Sequence, residues 1–190
     1  MAQLISPFCF LMVACSLGCD SVVVDGRFGE PLSQAATSTF TGRWINEESE
    51  VVDVRLLADN RLILGSLSWD KKKNAFAVQN HTVEARLVGG VTYFLLGADD
   101  DDAYGFVRIE RIADDEIKML SPDPEAFRTA VKNGKIDGQI VVTRSDHFSV
   151  VLESRSPLNL QLLSNKESAG WYKADDTQII RRIKQWPDNH

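Results

Sequence analysis

The chain has 190 residues, with 21 basic against 27 acidic side chains and a formal net charge of −6. That balance gives no electrostatic case for nucleic acid, whose binders present clustered Lys and Arg, and no polybasic patch for an anionic lipid surface. Its cysteines, Cys9, Cys15 and Cys19, all sit at the amino-terminal end, so the rest of the chain has no disulfide, thiolate metal site or cysteine nucleophile.

Residues 1–19 carry no charged side chain, and an apolar run, Phe8–Cys15, ends in Ser16-Leu17-Gly18-Cys19. The run is shorter than the roughly 20 residues of a spanning helix and matches the h-region of a secretory signal, about 7–15 residues followed by small ones. Small residues abutting a cysteine resemble the lipobox of bacterial lipoproteins. The resemblance implies that the Cys19 thiol carries a diacylglyceryl group and that the peptide before it is removed. Met12-Val13-Ala14-Cys15 offers a second box, with Cys15 as the alternative site. Each buried methylene adds about 0.8 kcal/mol of membrane affinity. The implied location is the bacterial cell envelope, facing the periplasm or the exterior. The implied partners are the membrane, through the lipid, and other envelope proteins.

Ser21–Thr39 reads as a tether, with Gly26, Gly29, Pro31 and the small polar run Ser33–Thr39 and no sustained period. As flexible coil, about 20 residues span roughly 25 Å. Val22–Val24 offers an edge strand as the alternative. From Phe40 the pattern becomes short β segments punctuated by turns. They are Gly42–Ile45, Val51–Leu57, Arg61–Trp69, Phe76–Val88, Val91–Leu96, Tyr104–Glu110, Glu116–Leu120, Gln139–Thr143, Phe148–Glu153 and Thr177–Ile183. Phe76–Val88 changes phase, which predicts a bulge near Asn80–Thr82. Gly89-Gly90 supplies a two-residue hairpin turn. Asp123-Pro124 and Ser156-Pro157 each open a short helix, the first with the apolar face Ala126, Phe127, Ala130 and Val131 and a stop at Gly134. The expected fold is mainly β, an antiparallel barrel or strongly bent sandwich of about eight to ten strands with two short helices. The chain divides into a signal (1–19), a tether (20–39), a single β-rich domain (40–185) and a frayed tail (186–190).

Gly42-Arg43-Trp44 near the start and Arg181-Arg182 near the end are similar to lipocalins, in which a G-x-W on the first strand packs beneath a late arginine. The resemblance implies first and last strands that meet, closing the sheet and removing its edges.

Chemistry-bearing clusters are few. Ser145-Asp146-His147 has the residue types of a hydrolytic triad, but neighbours along an extended segment point to opposite sides and form no relay. No G-x-S-x-G, H-E-x-x-H, G-x-G-x-x-G or P-loop pattern occurs. Asp99, Asp100, Asp101 and Asp102 could supply oxygens to Ca²⁺, but they lack the spacing that aims alternate side chains inward and read first as a solvated hairpin loop. Asn80-His81-Thr82 matches a glycosylation sequon, which a bacterial lipoprotein would carry by chance. Trp44, Trp69, Phe76 and Tyr93 fall on separate strands and are the candidates for lining a ligand cavity, although aromatics on strands more often form plain core. Bulky residues on the expected inward parity (Val54, Leu56, Ile63, Leu67, Trp69, Phe76, Val78, Tyr93 and Leu95) predict a filled interior, with Phe127 and Leu160 plugging an open end. No cofactor and no metal are expected. The function expected is that of a lipid-anchored, non-enzymatic binding or interaction module. The alternatives are a lipocalin-like carrier of a small hydrophobic ligand and an envelope enzyme with a dispersed Asp/Glu/His site.

Overall fold

The computed structural model describes residues 20–47, 49–70, 74–97, 103–142, 147–167, 169–173 and 176–184. In chain order its elements are β1 (Ser21–Val24), β2 (Glu30–Pro31), α1 (Gln34–Ser38), β3 (Gly42–Asn46), β4 (Val51–Leu56), β5 (Leu62–Asp70), β6 (Ala75–Val88), β7 (Val91–Leu96), β8 (Tyr104–Ala113), β9 (Glu116–Leu120), α2 (Pro124–Lys132), β10 (Gly138–Val142), β11 (Phe148–Leu152), α3 (Pro157–Ser164), a 3₁₀ turn (Ala169–Trp171) and β12 (Gln178–Arg182). The local signals act as their chemistry requires. Gly89 and Gly90, at φ 55° and 84°, make the mirror-image turn whose twist suits a two-residue hairpin. Asp123 caps α2 by accepting from the Glu125 N–H, and Ser156 caps α3 by accepting from that of Asn159. A third helix, α1, was not expected; the Ser33 side chain caps it by accepting from the Ala36 N–H.

Eight strands close a barrel. β3 to β9 follow one another as an antiparallel meander, and β12 fits between β9 and β3. Closure brings the G-x-W segment to the late arginine. Trp44 stands opposite Arg182 in the β3–β12 register, its indole N–H donates to the Phe40 carbonyl at 2.8 Å, and the Arg182 guanidinium carbon lies 4.6 Å from the ring centre. The partner is Arg182 and not Arg181, whose guanidinium pairs with Glu116 at 2.7 Å.

β8 is a branch point. Tyr104 and Gly105 pair with Val24 and Val23 of β1, whereas Arg108 to Ala113 pair with β9. β1 runs parallel to β11, and β10 pairs antiparallel beyond it. A wing of β1, β11 and β10 therefore leaves the barrel wall. This corrects the tether reading of 20–39. Val22 and Val24 are each 1% exposed, and α1 follows where small polar residues suggested coil. Three valines are too short a run to show alternation, and the partners that make them a strand lie some 80 to 130 residues away, at 104–105 and 148–152. Gly29, at φ 65°, is a packing glycine: a Cβ there would meet the Leu87 carbonyl oxygen at 2.5 Å.

β7 separates two cores. Inside the barrel, Trp44, Val54, Leu64, Val83, Phe94 and Ile117 form one; outside it, Phe28, Tyr93, Phe106, Phe127, Leu152 and Leu163 form the other. Several expected parities are thereby corrected. Leu62 and Leu64, not Ile63, are buried in the barrel, and Val78 is exposed. The run Leu62-Ile63-Leu64 is apolar throughout, so alternation could not choose a face. Tyr93 and Leu95 belong to the outer core, and Phe127 and Leu160 pack there too instead of plugging an end. No bulge interrupts β6, whose register with β5 is continuous from Ala75 to Val83. The change of phase arises because the inward positions 79 and 81 carry polar residues. Among the described residues no helix is long and apolar enough to cross a membrane.

Candidate functional site

Among the described residues three spaces could receive a ligand: the barrel interior, a cleft on the outer side of its wall, and an open depression of ≈ 370 Å³ beside α2, between Asp123, Glu125, Lys135 and Trp171. The first is the barrel interior. Its aliphatic and aromatic side chains leave gaps of ≈ 20 Å³ and ≈ 30 Å³, the first beside Val83 and Val107, the second beside Trp44 and Ile180. Each has room for about one or two waters. Beyond Leu62 and Val83 the inner face of the β5–β6 hairpin turns polar, with Ser66 opposite Gln79 and His81 opposite Leu64. Ser66 Oγ, Gln79 Oε1 and His81 Nε2 are buried and have no hydrogen-bond partner among the described residues. Burial also pushes the His81 imidazole below its ordinary pKa, because desolvation disfavours the charged ring.

Of the aromatic residues expected to line a cavity, Trp44 is in the barrel and Tyr93 is on the opposite face of the wall. Trp69 and Phe76 pair across β5 and β6, and their side chains lie outside the description. Cys15, Cys19, the Asp99–Asp102 run and the Ser145-Asp146 turn also lie outside the described residues. Among the residues described, no group of His, Cys, Asp or Glu is placed to hold a metal ion.

The second space is a cleft of ≈ 340 Å³ on the outer side of the wall. Its floor is the outward face of β8 and β9, with Arg108, Glu110 and Lys118, and its far wall brings Lys166, Tyr172 and Lys173. Arg108 is 4% exposed. It donates to the carbonyls of Asn165 at 3.3 Å and Lys166 at 2.8 Å, just past the end of α3, and pairs with Glu110 at 2.8 Å. A guanidinium at carbonyls left over by a helix end is a favourable placement.

Tyr172 lies beneath this guanidinium, its ring centre 5.4 Å from the Arg108 carbon. Tyr93 donates its hydroxyl hydrogen to the Leu163 carbonyl at 2.8 Å, so Tyr172 donates to Tyr93 across 3.0 Å. Burial raises the pKa of both phenols, keeping them as neutral donors. The far wall is tied down as well: Lys173 N–H donates to the Ser121 carbonyl and Asp123 N–H to that of Trp171. The cleft thus has a fixed floor, and its lining sets four cations against one carboxylate, Glu110. In a chain whose acids outnumber its bases, that excess is local and attracts anions.

Comparison with known protein families, curated proteins and solved structures finds no match to this chain.

Sequence reasoning did not find the cleft. Arg108 alone gave a signal, a charge within the otherwise apolar Tyr104–Ile109. Lys118 sits in ordinary alternation, and Lys166 and Lys173 lie in connecting segments that only the closed barrel brings together with it.

Proposed function

We propose that this protein is a lipid-anchored binding module of the bacterial cell envelope, held by Cys19 and facing the periplasm or the exterior. It binds rather than catalyses, and its ligand carries an anionic group seated in the outer cleft over Arg108. One observation carries this reading: the barrel's internal gaps hold no more than a water or two, whereas the outer cleft is about 340 Å³ and, unlike the similarly sized depression beside α2 with its Asp123 and Glu125, is lined mostly by cations, among them Lys118, Lys166 and Lys173. The stack of Arg182 on Trp44 supports a lipocalin-like architecture, while the filled interior speaks against a lipocalin-like cargo.

Calorimetric titration of the protein with inorganic phosphate tests the cleft. Saturable binding is expected, weakening as salt is raised. Lys166→Gln and Lys173→Gln should each weaken it by about fivefold or more, the scale of a charge-assisted hydrogen bond. Absence of binding, or binding unchanged in both variants, overturns the assignment. Anchoring has its own test. Cys19→Ala should move the protein from the detergent phase to the aqueous phase, with Cys15→Ala as the control, and equal partitioning of Cys19→Ala and wild type would contradict it.

A further inference from the structure

The fold begins where the proposed anchor ends. Cys19 is one peptide unit from Asp20, about 3.8 Å between Cα atoms, and Asp20 is already part of the packed structure. Its Oδ1 accepts from the Phe148 N–H at 2.9 Å and lies 3.5 Å from His147 Nδ1. Ser21 is in register with Ser149, their hydroxyls 2.9 Å apart. No spacer separates a lipid on Cys19 from the wing.

At the same end of the wing, where residues 143–146 lie outside the described part, β10 exposes two apolar side chains. β10 finishes at Val142, opposite Phe148, and Val141 and Val142 are 45% and 72% exposed. Gly138–Val142 is an edge strand with neither charge nor proline, the devices that normally protect such an edge. Beside it, Arg128 stacks 4.4 Å from the centre of the Phe148 ring and pairs with Glu125 at 3.1 Å. Acyl chains on Cys19 have to lie in the bilayer, which holds Asp20, Phe148 and Val142 at the headgroup level.

We propose that this end of the wing is seated on the lipid surface, with Val141 and Val142 entering the interface. The inference rests on the anchoring at Cys19 proposed above. β11 spans its five residues, from Phe148 to Leu152, over roughly 17 Å. Leu158, 45% exposed and carried by α3 just beyond the other end of β11, therefore stays in water.

The test uses the full chain, acylated during expression and reconstituted into vesicles of phosphatidylcholine and phosphatidylglycerol. Val142→Cys and, as a second site, Val141→Cys each receive a nitroxide, with Leu158→Cys as the reference. Spin-label accessibility to oxygen and to a water-soluble nickel chelate is then read before and after reconstitution. The labels at 142 and 141 should gain oxygen and lose nickel accessibility, while the label at 158 keeps its aqueous values. Labels at 142 and 141 as open to nickel as the one at 158, on protein that stays with the vesicles, overturn the seating. So does protection of both from oxygen and nickel alike, which reads a second chain added to β10. Failure of the anchoring shows separately, as Cys19→Ala protein that remains vesicle-bound.

Discussion

The two faces of the barrel wall differ in how far their polar groups are satisfied. On the outer face, the Tyr172 hydroxyl donates to Tyr93 and Tyr93 to the Leu163 carbonyl, and beside them the buried Arg108 guanidinium donates through its two terminal nitrogens to the Asn165 and Lys166 carbonyls, its Nε lying outside these bonds. Around them, edge-to-face contacts run from Phe28 through Tyr93 and Phe106 to Phe127 and Trp171. On the inner face, Ser66 Oγ, Gln79 Oε1 and His81 Nε2 are buried without partners among the described residues. Buried polar groups stabilise only when satisfied. The outer core therefore fixes the floor of the cleft, while the barrel contributes closure and apolar filling.

The largest effects should come from emptying either core. Phe106→Ala removes a ring in contact with Phe28, Tyr93 and Phe127, and Trp44→Ala removes the fully buried residue at the closure of the barrel. Each should cost about 3–5 kcal/mol in denaturant unfolding. A loss below about 1 kcal/mol for Trp44→Ala would mean that closure does not depend on it.

Smaller substitutions sharpen the contrast between satisfied and unsatisfied groups. Tyr93→Phe deletes the hydroxyl that both Leu163 and Tyr172 use, so it should cost about 1–2 kcal/mol. Ser66→Ala deletes a hydroxyl with no partner and should change stability by less than about 0.5 kcal/mol, or raise it. Equal losses from the two would erase the distinction between the faces.

The smallest effect is one of pH. With its folded-state pKa depressed by burial, His81 stays neutral where the unfolded chain, near the ordinary value of about 6.5, takes up a proton. Its contribution to stability is therefore unchanged above that pH and declines as the pH falls through the window beneath it, down to the folded-state pKa. Unfolding free energies of wild type and His81→Gln across that window should diverge in this sense. Parallel curves would show that His81 is not desolvated.

The sequence shows the parts of this fold whose causes are local. The Gly89-Gly90 turn, the Asp123-Pro124 helix start and the run of short strands follow from backbone preference and capping over a few residues. The meeting of Trp44 with a late arginine was legible only by resemblance. What escaped has distant causes. β1 depends on strands more than 80 residues away, Gly29 on its approach to Leu87, and the inward parity of Leu62 and Leu64 on a register that a uniformly apolar run leaves open. The cleft is the extreme case: β8 and β9 give it Arg108 and Lys118, the stretch after α3 gives it Lys166 and Lys173, and the two pairs lie far apart in the sequence.

The account rests on the barrel being filled and the binding being outside it. Its most direct test is titration of the protein with fatty acids, retinoids and haem against tryptophan fluorescence, since Trp44 reports from the barrel and Trp171 from the outer core. No saturable change is predicted with any of the three. Stoichiometric quenching with micromolar or tighter affinity would contradict the account and make the barrel a carrier of hydrophobic cargo.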